Sequence, residues 1–387
     1  MSNGVFTNSE LVTPKTFLAA CAVGWAFACT GCRDIGVGPV QPHTPDMKGF
    51  CYTSFTSNGF ELGGQSNAVG DLHGQTGNTW IALVVFEYQS TSTSSDIGAN
   101  TTGRNPLTGG VWSTTSTEAD VREGIRQARL QQMHVMLKPH LDLYSGEWRA
   151  MVRPDTQGNW FRSYTAMILR YARLASELNV ELLCIGTEFV VATQPAYTQS
   201  WLALADSVRR YYGGRLTYAA NWNGASAAGI TQPEFEQVEF WDRLDYIGID
   251  AYYPLTNSIG DPVPRLETAK SRMQTPMQEI GAVASRWRKP VVVTEVGIQS
   301  VRGALASPWD FSLGKAAGAV PDNSVQELYY RAIVETIGDQ SWCAGIFWWN
   351  WDSVPSSYEA TDYTPRRKPA ARILQEWYGA ASLLVMR

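Results

Sequence analysis

The chain has 387 residues, 44% of them hydrophobic, and a net charge of −5. That length carries a large core, either as one domain of α/β-barrel size with a tail or as two smaller domains. The acidic balance excludes the basic footprint of a nucleic-acid-binding protein, and the 15 Trp and 17 Tyr are a surplus suited to stacking on flat apolar faces as well as to cores.

The N-terminus reads as a targeting segment. Lys15 precedes TFLAACAVGWAFACTGC, an apolar run of signal-peptide length that is short for a membrane span. It ends in Thr30-Gly31-Cys32, small residues before a cysteine, which resembles a bacterial lipoprotein signal with Cys32 lipidated. Cys29 stands where that pattern prefers Leu, and an ordinary secretory signal is the alternative. The expected division is a signal peptide over 1–32, a Gly/Pro-rich linker over 33–45 and one folded domain over 46–387. The mature protein is then exported, as a cell-envelope lipoprotein or a secreted protein, and any membrane attachment runs through Cys32 alone. Cys51, Cys184 and Cys343 lie inside apolar runs and read as buried thiols. No CxxC spacing suggests zinc.

Eight strand-like runs follow: 49–55, 79–90, 134–143, 180–189, 215–224, 244–255, 290–298 and 343–352. Each is nearly continuous in apolar residues, as expected of parallel strands covered on both faces. Amphipathic patterns alternate with them at 118–133, 160–179, 198–212, 266–287, 324–338 and 370–379, the first with Ser116-Thr117 as caps. Strand–helix alternation over this length predicts an α/β fold, a closed (β/α)8 barrel. An open doubly wound sheet is the runner-up, but SFTSNGFELGG after the first strand is no phosphate-binding glycine turn. The polar connections 90–117 and 299–323 read either as solvated loops or as walls of a cleft.

Polar and aromatic residues gather at the C-terminal ends of these runs, the face on which barrels build active sites. They include Glu87, Lys138, His140, Asp142, Glu188, Asn221, Trp222, Asp250, Tyr252, Glu295 and the cluster Trp348 to Trp351. LLCIGTEFV and VVVTEVGI each set a Thr-Glu pair at the end of an apolar run. A carboxylate there is costly unless compensated, and two of them on strands four and seven suit glycoside hydrolysis, in which one acts as acid and the other as nucleophile or base. A carboxylate gap of about 5–5.5 Å marks the retaining mechanism. Four histidines with no H-x-H or H-E-x-x-H, and no G-x-S-x-G, argue against metal-dependent and serine hydrolases. No metal or cofactor is expected.

The motifs KGFCYTS (48–54), MLKPHLD (136–142), IGTE (185–188), LTYAANW (216–222), DYIGIDAYYPL (245–255), TEVG (294–297) and GIFWWNW (345–351) resemble, in order, glycoside hydrolase family 113 of clan A. That family is chiefly known as endo-β-1,4-mannanases. The resemblance implies a retaining enzyme on β-mannan or manno-oligosaccharides, with Glu188 as acid/base and Glu295 as nucleophile. Another clan A glycosidase or a non-catalytic sugar-binding barrel are the alternatives. Thr187 departs from the clan, which usually has Asn before the acid/base; Asn221 is the candidate replacement donor. Tyr252 matches a tyrosine that bonds the nucleophile. Lys138 and His140 read as sugar contacts, with Trp222 and Asp250 also in the substrate set. Trp348 and Trp351 read as the sugar platform, though strand alternation turns one of Trp348 and Trp349 away. The partner is a polysaccharide or oligosaccharide, and the protein is expected to be a monomer.

Overall fold

The structure, a computed structural model, describes residues 44–382. The expected signal over 1–32, most of the linker and the last five residues lie outside the described residues. Eight strands close into one all-parallel barrel in the order β1 to β8. They are β1 (Met47–Thr53), β2 (Trp80–Gln89), β3 (His134–Leu143), β4 (Leu182–Thr187), β5 (Arg215–Asn221), β6 (Ile247–Asp250), β7 (Val291–Val296) and β8 (Cys343–Asp352). This is the expected (β/α)8 architecture.

The strands are apolar on both faces because both are covered. Side chains alternate: Val84, Met136, Leu182, Cys184, Ala219 and Val292 pack inside the barrel, while Leu83, Leu137, Leu183 and Val293 face the surrounding helices. Cys51, Cys184 and Cys343 are buried free thiols, as expected.

The helices are α1 (Gly59–Gln65), α2 (Ala68–Thr76), α3 (Glu118–Leu130), α4 (Gln157–Glu177), α5 (Thr198–Arg209), α6 (Glu234–Gln237), α7 (Leu266–Arg272), α8 (Gln274–Trp287), α9 (Asn323–Val334) and α10 (Pro369–Ser382). Thr117 caps α3 by accepting from the Asp120 N–H at 3.1 Å. The longest helix, α4, buries Trp160, Tyr164, Met167, Ile168, Tyr171 and Ala175, a stripe at helical spacing. Among the described residues no helix is long and apolar enough to cross a membrane.

The connection 90–117 folds back over the barrel end. Tyr88 and Gly98 exchange backbone hydrogen bonds at 2.9 Å, Asn105 Nδ2 donates to the Tyr144 carbonyl at 2.7 Å, and Thr117 N–H donates to the Ser57 carbonyl at 3.0 Å. It brings Trp112 to within 6.1 Å of Tyr144. The connection is a built wall beside β2 and β3.

Candidate active site

Glu188 and Glu295 both follow an irregularity in their strands. Between β4 and β5 the register passes from Cys184 opposite Thr217 to Thr187 opposite Ala219, so β4 carries one extra residue. Between β6 and β7 it passes from Val293 opposite Ile249 to Glu295 opposite Asp250, with Thr294 the extra residue. An extra residue re-aims the side chains beyond it. Glu188 also has a φ of 55°, the left-handed region that costs a non-glycine residue roughly 1–2 kcal/mol. Its N–H donates to the Ala219 carbonyl at 2.8 Å, and the next N–H, of Phe189, donates to the Tyr218 hydroxyl at 2.8 Å. Gly186 lets this turn pass, since a Cβ there would lie 2.7 Å from the Tyr218 ring and 2.9 Å from Trp201.

Glu188 accepts from Asn221 Nδ2 at 2.6 Å and from Trp148 Nε1 at 3.2 Å, and Arg149 Nη1 lies 3.5 Å away. Burial raises its carboxyl pKa; Arg149 opposes this and the charge of Glu295 adds to it, leaving it above the ordinary value. Arg149 is itself held by an ion pair to Asp142.

Glu295 sits in the opposite electrostatic setting. Burial pushes its carboxyl up, but the Lys138 ammonium and the His140 ring outweigh that and hold it well below the usual carboxylate range. Lys138 ion-pairs with Glu295 and, at 3.0 Å, with Asp250. The Tyr252 hydroxyl donates to Glu295 Oε2 at 2.8 Å. His140 Nε2 lies 3.4 Å from Oε1, and burial keeps the ring neutral by lowering its pKa to about 4. Asp250 accepts from Thr294 Oγ1 at 2.7 Å, and its burial and the neighbouring Glu295 charge push its carboxyl up. One ammonium thus serves two carboxyls, and Glu295 is the one held ionised.

Lys138, His140, Glu188, Asn221, Asp250, Tyr252 and Glu295 converge on one cluster. The expectation that Lys138, His140, Asp250, Trp348 and Trp351 meet the sugar needs correction. Lys138 and Asp250 are wholly buried and His140 is only 1% exposed, so all three act on Glu295 from beneath and offer no surface to a sugar. Trp348 packs on Tyr330 of α9 at 4.0 Å and donates to the Tyr378 hydroxyl at 3.2 Å. Trp351 lies under the Arg366 guanidinium, 4.4 Å from its centroid. Both indoles are fully buried on the outer face of the barrel and cannot form a platform. Between β1 and β8 the register passes from Trp348 opposite Phe50 to Trp351 opposite Tyr52, and this extra residue gives both the same outward parity. Trp349 is the indole that turns inward, parallel to the His140 ring at 6.1 Å.

Trp222 is half-buried, edge-on to Tyr253 at 5.1 Å and 5.4 Å from Trp309 in the connection 299–323. Trp309 is exposed, so this aromatic group opens to solvent next to Asn221. Glu87 is directed away, to Arg170 and Tyr171 of α4. Sequence reasoning missed Trp148, Arg149 and Trp309, and of the pair Trp348 and Trp349 it put the wrong indole in the sugar platform. The first two stand in SGEWRAM directly after the end of β3, and an arginine and an indole so close to a strand end on the functional face are the signal that could have found them.

Among the described residues no group of three or more His, Cys, Asp or Glu is placed to hold a metal ion. A parallel eight-stranded barrel carrying this carboxylate pair among aromatic side chains is the architecture of a glycoside hydrolase. The model of Glycoside Hydrolase Family 113 matches residues 56–366, and the chain belongs to that family. In structure it is similar to a GH113 β-1,4-mannanase at 24% identity and TM-score 0.69, over 86% of this chain and 99% of that one. It is also similar to the GH113 β-mannanase of Alicyclobacillus acidocaldarius, at 23% identity and TM-score 0.70, over 86% and 97% of the two chains. A β-glucuronidase of Ruminococcus gnavus matches at 13% identity and TM-score 0.55, over 86% of this chain and 50% of that one. No match is found among curated proteins.

Proposed function

We propose that this glycoside hydrolase is a retaining endo-β-1,4-mannanase that cleaves β-mannan and manno-oligosaccharides by double displacement. The observation that carries the mechanism is the opposed electrostatics of the two glutamates. Glu188, buried and raised, suits a group that must hold a proton for the leaving oxygen. Glu295, held ionised by Lys138 and aimed by Tyr252, suits the nucleophile. In the first step Glu295 attacks the anomeric carbon while Glu188 gives its proton to the departing oxygen. In the second, Glu188 takes a proton from water, which displaces Glu295. Asn221 holds Glu188 from one side and Arg149 from another. Trp349 borders the sugar that undergoes attack. The preference for mannan rests on the names of the family's structurally similar members.

The test is product analysis on defined manno-oligosaccharides, with Glu188→Gln and Glu295→Gln as controls. Retained β-configuration, internal cleavage and loss of at least about 1000-fold in kcat in Glu295→Gln are expected. Inverted product, or wild-type rates in both variants, overturns the mechanism. Cleavage of another β-glycan but not of mannan overturns the substrate. Export with a lipidated Cys32 is proposed from the N-terminal pattern alone, and loss of lipid labelling in Cys32→Ser tests it.

A further inference from the structure

Behind Glu188 lies a second glutamate with no role in the scheme above. Glu234, at the start of α6, is wholly buried and reaches back beneath the ends of β4 and β5. Its Oε2 accepts from the Asn221 backbone N–H at 2.7 Å. Its Oε1 accepts from the Tyr218 hydroxyl at 2.6 Å and from the Thr193 hydroxyl at 2.9 Å.

These partners lead to Glu188 from two directions. Asn221 carries the amide that donates to Glu188 Oε1 at 2.6 Å, so fixing its backbone fixes that donor. Tyr218 passes the other link on, because its oxygen accepts from Phe189 N–H at 2.8 Å, and Phe189 directly follows Glu188. Glu188 has a left-handed backbone at φ 55°, which persists only where the surroundings over-determine it. Thr193 ties the chain beyond β4 to the same carboxylate. One buried carboxylate therefore joins the peptide after Glu188, the peptide of its amide partner and the segment that follows.

We propose that Glu234 is a positioning residue for the general acid, setting the place of Glu188 through Asn221 on one side and through Tyr218 and Phe189 on the other. A carboxyl suits the task because its two oxygens meet partners in different directions and at most one of them carries a proton. A glutamine accepts at one and turns an N–H pair towards a donor at the other. Burial pushes the Glu234 carboxyl up to about 8 against the pull of the Asn221, Tyr218 and Thr193 donors; when it holds a proton, Oε2 still accepts from the Asn221 N–H and the proton on Oε1 turns to the Thr193 hydroxyl oxygen, so the same contacts are kept. The ionisable groups facing it are Tyr218 on β5 and Glu188 after β4.

The inference rests on Glu188 acting as the acid, and the experiment separates the two. Glu234→Gln and Glu188→Gln are compared with wild type by kcat/KM on two substrates. One is a manno-oligosaccharide, whose leaving oxygen needs a proton. The other is a dinitrophenyl β-mannoside, whose leaving group needs none. Glu234→Gln is expected to lose about 10–100-fold on the oligosaccharide, the scale of a misplaced catalytic group, and under about threefold on the aryl glycoside. Equal losses on both substrates, or a loss on neither, overturn the proposal. If Glu188→Gln itself shows no such split, the assignment of the acid falls. If only Glu234→Gln lacks it, this inference alone falls. Should Glu234→Gln fail to fold, Tyr218→Phe, which cuts the link to Phe189 but leaves the carboxylate, is read in the same way.

Discussion

Asn221 Nδ2 donates to Glu188 Oε1 at 2.6 Å, so the amide that meets the candidate acid comes from the neighbouring strand and not from the residue before it. Thr187, in that preceding position, is buried at the end of β4. The extra residue in β4 accounts for the exchange. It turns Thr187 into the wall and sets Glu188 beside the end of β5, where Asn221 stands.

The pH profile of kcat/KM is expected to be a broad bell. The proposed mechanism needs Glu295 ionised and Glu188 protonated. Lys138 holds Glu295 low, so the acid limb falls below the usual carboxylate range; burial holds Glu188 high, so the alkaline limb lies above it. Arg149 favours the charged form of Glu188. Arg149→Met therefore raises the Glu188 pKa and moves the alkaline limb upward, by roughly 1–3 units for a nearby opposite charge. A limb that stays in place or moves down rules out Arg149 as the group that tunes the acid.

Lys138→Met is expected to damage stability and the acid limb together. It strands two carboxyls in a wholly buried place, at a cost of roughly 3–5 kcal/mol. With its cation gone Glu295 binds protons more readily, so the acid limb moves up. Adding Asp250→Asn replaces the second stranded carboxyl by a neutral amide, and the double variant is expected to be more stable than Lys138→Met alone. Denaturant melts of the three variants check this, and additive losses would show the residues to be uncoupled.

Tyr252→Phe removes one hydrogen bond to Glu295 Oε2 and little else. A bond to a charged acceptor contributes about 1.5–3 kcal/mol, so kcat/KM is expected to fall roughly 10–150-fold with the melting temperature nearly unchanged. A large fall in melting temperature with a normal rate would make Tyr252 a packing residue.

Much of this molecule is legible in its sequence, and the failures share a cause. β3 and β8 match their expected ranges residue for residue because buried parallel strands are uninterrupted apolar runs. β4 and β6 are shorter than their apolar runs, because pairing stops before hydrophobicity does. α1 and α2 went unseen: GFELGGQ holds three glycines and shows little helical stripe. The span 266–287 is two helices meeting at Met273. In the site, Glu188 and Glu295 stand out as carboxylates at the ends of apolar runs. The parity of Trp348 and Trp351 does not, because one extra residue in the barrel register leaves no mark in local composition. Glu234 is equally silent, since a short helix is positioned by the chain around it.

Trp309 and Trp222 carry a prediction about chain length. Their aromatic group opens to solvent beside Asn221, the residue whose amide donates to Glu188. Trp309→Ala is expected to raise KM for long manno-oligosaccharides by roughly 5–50-fold, with little change for the shortest substrate cleaved, because stacking contributes uniform binding. An equal rise for short and long substrates would place Trp309 at the reacting sugar.

The two adjacent indoles of β8 give the sharpest contrast. Trp348 and Trp349 are neighbours in sequence and lie on opposite sides of the sheet. Trp348 is fully enclosed by Tyr330 and Tyr378. Trp348→Ala is expected to cost about 3–5 kcal/mol of stability through the cavity it leaves, with KM on the surviving folded fraction unchanged. Trp349 is half-buried and parallel to His140 in the cleft. Trp349→Ala is expected to cost less stability and at least about tenfold in kcat/KM, because in the proposed mechanism the lost surface borders the reacting sugar. Thermal melts and initial rates on both variants decide the matter. The reverse outcome, with Trp348→Ala stable but inactive, would mean that the register of β8 differs by one residue at this point.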